Sequence, residues 1–395
     1  MREVYDAETN EVARKLWLNT NVHSNRDVKN RNVNLDLGKH AVSHRYLVFR
    51  FLVGSGRRFA WRWLKSCIKV LLGRKTPFDE SGLFLGQYFL HVTGLRKIRK
   101  ITCTGLSGEG AGSQALMVMN AINFARAFGL TYVHSPFTII EHSDRPMEEW
   151  AAAWEAFFNL GAGEAVCDTG RLDAVNFSYN FNDLDRCFEW RSRGDELAHG
   201  FKAIIPEFRR KFYLNKSPRR TAEMTVAVHI RRGDVLPDNL DYYTSNESIL
   251  RTITSVKSIL DTHKVEYKLR VYSQGNCADF EGLSLPGVEF FLDVDAVWKL
   301  QELIEADVLV MAKGCFSYCA GLISDGIKIC EARTISADEL PGWRWLYLSP
   351  PESWLMSQAD GSFESAAFER QLTLLIQSKA RAPISTSTGD LESEI

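Results

Sequence analysis

Between Thr225 and Cys330 the chain alternates short apolar, β-branched runs with segments of helical period, and nothing else in the sequence restricts the fold as strongly. Strands read at Thr225–Ile230, Tyr267–Tyr272, Val288–Leu292, Asp307–Met311 and Ile327–Cys330. Helices read at Thr244–Asp261, Ala296–Ala306 and Phe316–Ser324, with Ser245 and Asn246 placed to cap the first of them. Strand, helix and strand in repeat build a parallel, doubly wound sheet. Such strands are buried on both faces, which is why Thr225–Ile230 is almost uncharged.

The strand from Thr225 ends in His229-Ile230-Arg231-Arg232-Gly233-Asp234. Ligands of doubly wound sheets bind at the carboxyl ends of the strands, so these residues stand where a ligand would lie. Guanidinium is a planar fork of donors suited to phosphate, and a glycine lets the backbone turn sharply or come close to a ligand. A diphosphate is the natural occupant of such an end. The plainer reading is two surface arginines paired with carboxylates, and a His229 satisfied within the core. Two further strand ends, Ser273–Asn276 and Lys313–Ser317, fall on the same edge of the sheet. Polar side chains at the first suit a nucleobase, and the helix N-terminus at the second, with Cys315, Phe316 and Ser317, suits the phosphates.

A second sheet is expected nearer the N-terminus. Ile98–Thr104 reads as a strand, Gly105–Gly112 as a glycine-rich turn, Ser113–Phe128 as a helix stopped by Gly129, and Leu130–His134 as another strand. Strand, glycine loop, helix and strand form half of a mononucleotide fold, with Gly110, Gly112, Ser113 and Gln114 at the turn into the helix. Glu148–Leu160 is a further helix, and Gly161–Asp195 is undecided, with Trp190, Arg191 and Arg193 at a cleft or on a surface loop. At 395 residues two domains of ordinary size are expected. The boundaries are a leader with a basic segment at 1–96, one Rossmann-like half at 97–215, another at 216–345, and a crossover helix with a frayed tail at 346–395.

Hydrophobic residues make up 45% and charged residues 25%, a globular profile. A net charge of −1 does not point to nucleic acid as a partner. The eight cysteines include no Cys-x-x-Cys pair, so neither a zinc site nor a disulfide framework is signalled, and reduced thiols in a cytoplasmic protein are expected. From Leu37 to Phe78 there are ten lysines and arginines and no acid, interleaved with Trp61 and Trp63. Residues 45–75 therefore read either as a basic amphipathic helix docking on an anionic membrane surface or as an ordinary helix with a solvated basic side.

Three stretches resemble the α1,2-, α1,6- and protein O-fucosyltransferase superfamily. His229 to Asp234 is similar to its His-x-Arg-Arg signature, Gly110 to Gln114 to its Gly-x-Gly-Asn-Gln turn, and Ala306 to Ala320 to its third motif. The resemblance implies a GT-B-like α/β fold of two Rossmann-type domains with a cleft between them, and an inverting glycosyltransferase that needs no metal or other cofactor. Its donor would be GDP-fucose and its acceptor a glycan or glycoconjugate hydroxyl. By residue, Arg231 would take the β-phosphate with Arg232 in support, and His229 would lie at the guanine or ribose. Phe316 and Ser317 would meet the phosphates. Gly275 and Asn276 stand where family members often carry aspartates that read guanine.

An inverting transfer wants a base for the acceptor proton, and the candidates are Asp238, placed first, with Asp234 and Glu109. Two other readings remain. Asp293-Val294-Asp295 would hold a divalent ion in a metal-dependent transferase, unless Asp295 caps the helix at Ala296. A glycan- or nucleotide-binding module without catalysis is the other.

Overall fold

The computed structural model describes residues 97–105, 108–167, 174–178, 184, 194–218, 223–239, 241–331 and 353–381. The basic segment 45–75, the leader, Trp190, Arg191, Arg193 and the tail from Ala382 lie outside them.

The N-terminal half is a parallel sheet in the order β3-β2-β1-β4. Its strands are β1 (Lys100–Thr102), β2 (Thr131–His134), β3 (Ala165–Val166) and β4 (Ala174–Asn176). Helix α1 (Ala111–Ala127) joins β1 to β2, α2 (Met147–Phe158) follows β2, and α3 (Gly194–Tyr213) closes the half. Every residue of α1 from Ala111 to Ala125 is buried. A helix that is apolar or small-sided all round has no solvent face to offer, so α1 sits inside the molecule.

The C-terminal half is a six-stranded parallel sheet in the order β10-β9-β8-β5-β6-β7. Its strands are β5 (Met224–His229), β6 (Tyr267–Ser273), β7 (Val288–Leu292), β8 (Val308–Met311), β9 (Ile327–Glu331) and β10 (Leu355–Ser357). Helices α4 (Asn246–Thr262), α5 (Ala296–Glu305), α6 (Cys315–Ile323) and α7 (Ser365–Arg381) cover it. From β5 the chain moves outward to β6 and β7, then returns beside β5 as β8 and moves the other way. The topological switch point, where such sheets bind ligands, is therefore the gap between the ends of β5 and β8.

Strand residues alternate between two cores. Val226, Val228 and Ile230 face α4 and α7 with Ile253, Phe368 and Leu372. Ala227 and Leu309 face the other way, into one continuous core with α1, α2, α3, α5 and α6. The two sheets are thus joined through α6 lying on α1 and α3. The joint is close: a Cβ added to Gly112 would stand 2.6 Å from the Phe316 Cα and 2.7 Å from its N. Cys319 donates its thiol to the Gly112 carbonyl at 3.1 Å.

The α/β expectation with two Rossmann-type halves holds. Ser245 does cap α4, accepting the Ser248 N–H at 3.2 Å. Helix α1 begins at Ala111, two residues before the expected start, because Gly110 already has the extended backbone of a cap. One expectation differs: among the described residues, the segment past Trp345 that was expected to cross back to the first half lies on the second sheet. Leu355–Ser357 pairs with β9 and α7 lies on α4 and β9, because the outer face of that sheet needs cover and Phe368 and Leu372, four apart, supply it. Helix α3 was not foreseen; its Pro206 interrupts the pattern that would announce it.

Candidate functional site

Beyond β5 the chain turns at Gly233, whose φ of 80° favours glycine, and a Cβ there would come within 3.1 Å of the Gln274 amide oxygen. The turn sends the two arginines to different places. Arg232 points inward and is 7% exposed. It donates to the Thr244 carbonyl at 2.9 Å and the Asn246 side chain at 2.8 Å, and its guanidinium stacks on Tyr243 at 4.2 Å. It fastens the β5 loop to the start of α4. Arg231 stays near the surface, reaching Asp234 at 2.6 Å and lying over Tyr242 at 4.9 Å. Its Nη1 is 3.1 Å from where a Gly314 Cβ would be, so it stands at the start of α6.

The other residues expected at this edge divide similarly. Ser273 is buried and donates to the Ile230 carbonyl at 2.8 Å, tying β6 to β5. Asn276 caps the short 3-10 helix Cys277–Phe280, and Asp279 returns the bond by accepting the Asn276 N–H at 2.7 Å. Both side chains expected to read a base thus have protein partners. His229 shares a hydrogen bond with the Ser317 hydroxyl, which also accepts the Ala312 N–H at 3.1 Å. Burial, then the charges of Lys299 and Arg231, holds the imidazole well below its ordinary value, so the ring is neutral at neutral pH. Cys315 and Phe316 form the first turn of α6, with the Phe316 ring 5.5 Å from His229 and 6.2 Å from Trp154 of α2. A small pocket at the sheet edge is lined by His229, Arg231, Tyr242, Thr244 and Glu331. Beside it Lys313 pairs with Glu331 at 2.8 Å, and Thr244 donates to the same carboxylate at 2.6 Å.

Across the joint lies the glycine turn of the N-terminal half. Gln114 is buried and clamps the turn, donating to the Glu109 carbonyl at 2.8 Å and the Ile139 carbonyl at 2.6 Å. The Glu109 carbonyl also accepts the Glu141 N–H at 3.1 Å, so the backbone of this residue is held from two sides. Burial raises the Glu109 carboxyl, and the Ser113 hydrogen bond and the nearby Arg231 charge oppose that without cancelling it. Gly110 packs near His142, whose charge acts on both Glu109 and Asp234. Burial would raise Asp234 as well, but there the hydrogen bond and charge of Arg231 prevail and hold it below the usual carboxylate range.

The three candidate bases therefore differ. Asp238 is exposed in the loop before Asn239. Asp234 is engaged by Arg231. Glu109 combines a fixed backbone, partial burial and a raised affinity for a proton. Asp295 caps α5 through the Trp298 N–H at 2.8 Å and gives its second oxygen to Arg145 at 2.6 Å, while Asp293 faces the Gly275 N–H at 3.4 Å. Among the described residues no group of three or more His, Cys, Asp or Glu side chains is placed to hold a metal ion, and no helix is long and apolar enough to cross a membrane. The sequence reading missed Lys299 and His142. Lys299 had a signal: it is the one cation in α5, in line with Leu303 on the apolar side. His142 had none, being brought to Gly110 only by the fold.

No protein-family model and no curated protein matches this chain. Among solved structures it is similar to the E. coli heptosyltransferase WaaC with ADP, at 12% identity and a TM-score of 0.35, covering 71% of this chain and 99% of that one. It is similar to the fucosyltransferase NodZ from Bradyrhizobium at 15% identity and a TM-score of 0.32, covering 58% and 94%. POFUT1 in complex with GDP-fucose follows at 13% identity and a TM-score of 0.32, covering 58% and 94%. At such TM-scores the function has to be argued from the site's own residues.

Proposed function

We propose that this chain is an inverting glycosyltransferase that moves a sugar from a nucleoside-diphosphate donor to a hydroxyl of a glycan or glycoconjugate, without a metal. The observation that carries this is the convergence at one joint of Arg231, the first turn of α6 and Glu109. Arg231 and the N-terminal end of α6 form a seat for a diphosphate. As the bond from the sugar's anomeric carbon to the diphosphate oxygen breaks, the charge left on that oxygen falls to these donors. On the opposite side Glu109 takes the proton of the acceptor hydroxyl as its oxygen bonds to the anomeric carbon. Neutral His229 stands by the donor, and Arg232 keeps the loop that presents Arg231 in place. GDP-fucose is the donor favoured by the motif resemblance, since the residues that would read the base, Ser273 and Asn276, do not themselves discriminate among nucleotides.

The test is a thermal-shift and transfer screen with GDP-fucose, GDP-mannose and UDP-sugars, run on the wild type and on Glu109→Gln. A donor that binds only the folded chain raises the melting temperature. Transfer should fall about 100-fold in Glu109→Gln, within the range of one general base, while donor binding stays unchanged. The sign for stability is opposite. A carboxyl raised in the folded state supports folding at low pH and loses that support as pH rises through its folded value, so removing the charge should leave neutral-pH stability equal or higher. The rate should also fail at higher pH, on acidification, than an ordinary glutamate would give. Absence of any donor-induced shift would sink the reading.

A further inference from the structure

Lys299 occupies the first turn of α5 and is 7% exposed. A lysine so deep is ordinarily matched by a carboxylate. Among the described residues no hydrogen bond or ion pair reaches this amine. The carboxylates that act on it from a distance are Asp293 and Asp295, and Arg145 already takes Asp295. The amine instead lies 5.7 Å from the centre of the Phe316 ring, in the first turn of α6, and close enough to His229 for its charge to be felt there. Arg231 meets the same helix start at Gly314, two residues earlier. A helix N-terminus offers unpaired N–H groups and positive potential, and here two cations border it.

We propose that Lys299 is a second phosphate ligand of the donor site, holding one phosphoryl group of the nucleoside diphosphate at the start of α6 while Arg231 holds the other. The inference rests on the diphosphate reading above. The geometry gives it a physical reason: a diphosphate carries more charge than Arg231 alone answers, and Arg231 already shares its own charge with Asp234. Burial lowers the affinity of the amine for its proton, and a phosphate beside it would act in the opposite direction.

That relation sets the experiment. Lys299→Met keeps the length and removes the charge, with Lys299→Gln as a second neutral variant should the first not fold. GDP and ADP binding is measured by calorimetry, and the unliganded melting temperature alongside. Both variants should bind the diphosphates about 10- to 100-fold more weakly, the scale of one hydrogen bond to a charged group. Their unliganded melting temperatures should equal or exceed the wild type, because a buried charge with no hydrogen-bonded carboxylate has gone. Unchanged affinity overturns the proposal, and so does a loss of affinity that comes with an equal loss of unliganded stability. A wild type that binds neither nucleotide defeats the diphosphate reading and this one with it; a wild type that binds beside variants that bind equally well defeats only the role of Lys299.

Discussion

The two sheets present opposite chemistry at their carboxyl ends. The C-terminal sheet ends in charge: Arg231 with Asp234, Lys313 with Glu331, and Arg232 on backbone and amide oxygens. The N-terminal sheet ends mainly in hydroxyl and amide groups, with the Glu155 carboxylate held by His134 of β2 at 2.7 Å. Thr102 pairs with Ser135 at 2.7 Å, Asn176 donates to Thr104 at 2.7 Å, and Ser178 meets the Cys103 sulfur at 3.0 Å. An ionised phosphate needs fixed charge, whereas a hydroxyl-rich acceptor is met by groups that both donate and accept. The contrast suits a donor side and an acceptor side, with Glu109 a carboxylate of the N-terminal half within reach of the Arg231 charge.

The largest test of that contrast removes the charge. Arg231→Ala should lower kcat by about 10³-fold, the upper range for one group that stabilises charge in a transition state. Its stability should change little, because its ion pair with Asp234 is largely exposed, at 32% and 44% for the two side chains. Initial-rate kinetics beside a melting curve check both. Near-normal transfer by this variant would mean that the charged end does not hold the leaving group. Arg232→Ala would not substitute for it as a test, since that guanidinium supports the loop from within.

That distinction shows how far the sequence could be read. Strands β5 to β9 and helices α4 to α6 were legible because each apolar run is bounded by turn residues, whereas β10, three residues long, was not. The N-terminal half was less so: β3 and β4 are two and three residues long, too short to show a period, and Pro206 masks α3. In the site, Arg231 and Arg232 were visible as a pair but not separable, because adjacency in sequence does not say which residue a glycine turn sends inward. Asp238 was placed first on sequence because it falls on the cleft side of the loop after the arginines. Glu109 is 122 positions before Arg231, and only the Gln114 clamp and the meeting of α1 with α6 bring them together.

The next largest effect should come from forcing the two halves apart. Gly112→Val places a branched side chain where a single Cβ already comes within 2.6 Å of the Phe316 backbone, and backbone yields less readily than a side-chain tip. Overpacking of this kind costs about 1–3 kcal/mol, and here the upper end is expected. Chemical denaturation should show a lower midpoint, and transfer should fall more than donor binding, because Glu109 moves away from a donor seat that remains whole. Equal losses of both would mean that the donor seat itself depends on the joint.

The smallest effect is expected at the second tie between the halves, where Asp295 caps α5 and receives Arg145 from the loop before α2. Asp295→Asn keeps an oxygen for the Trp298 N–H and removes the charge facing Arg145. Asparagine caps about as well as aspartate, so the loss is only that of an exposed ion pair, small and smaller still at high salt. Asp295→Ala removes the cap as well and should cost about 1 kcal/mol more. Melting curves of the two variants at low and high salt separate the contributions: the asparagine deficit should fade with salt, and the additional alanine deficit should not. A pair of variants equally sensitive to salt would show that the carboxylate serves α5 through its charge on the helix end rather than as a hydrogen-bonding cap.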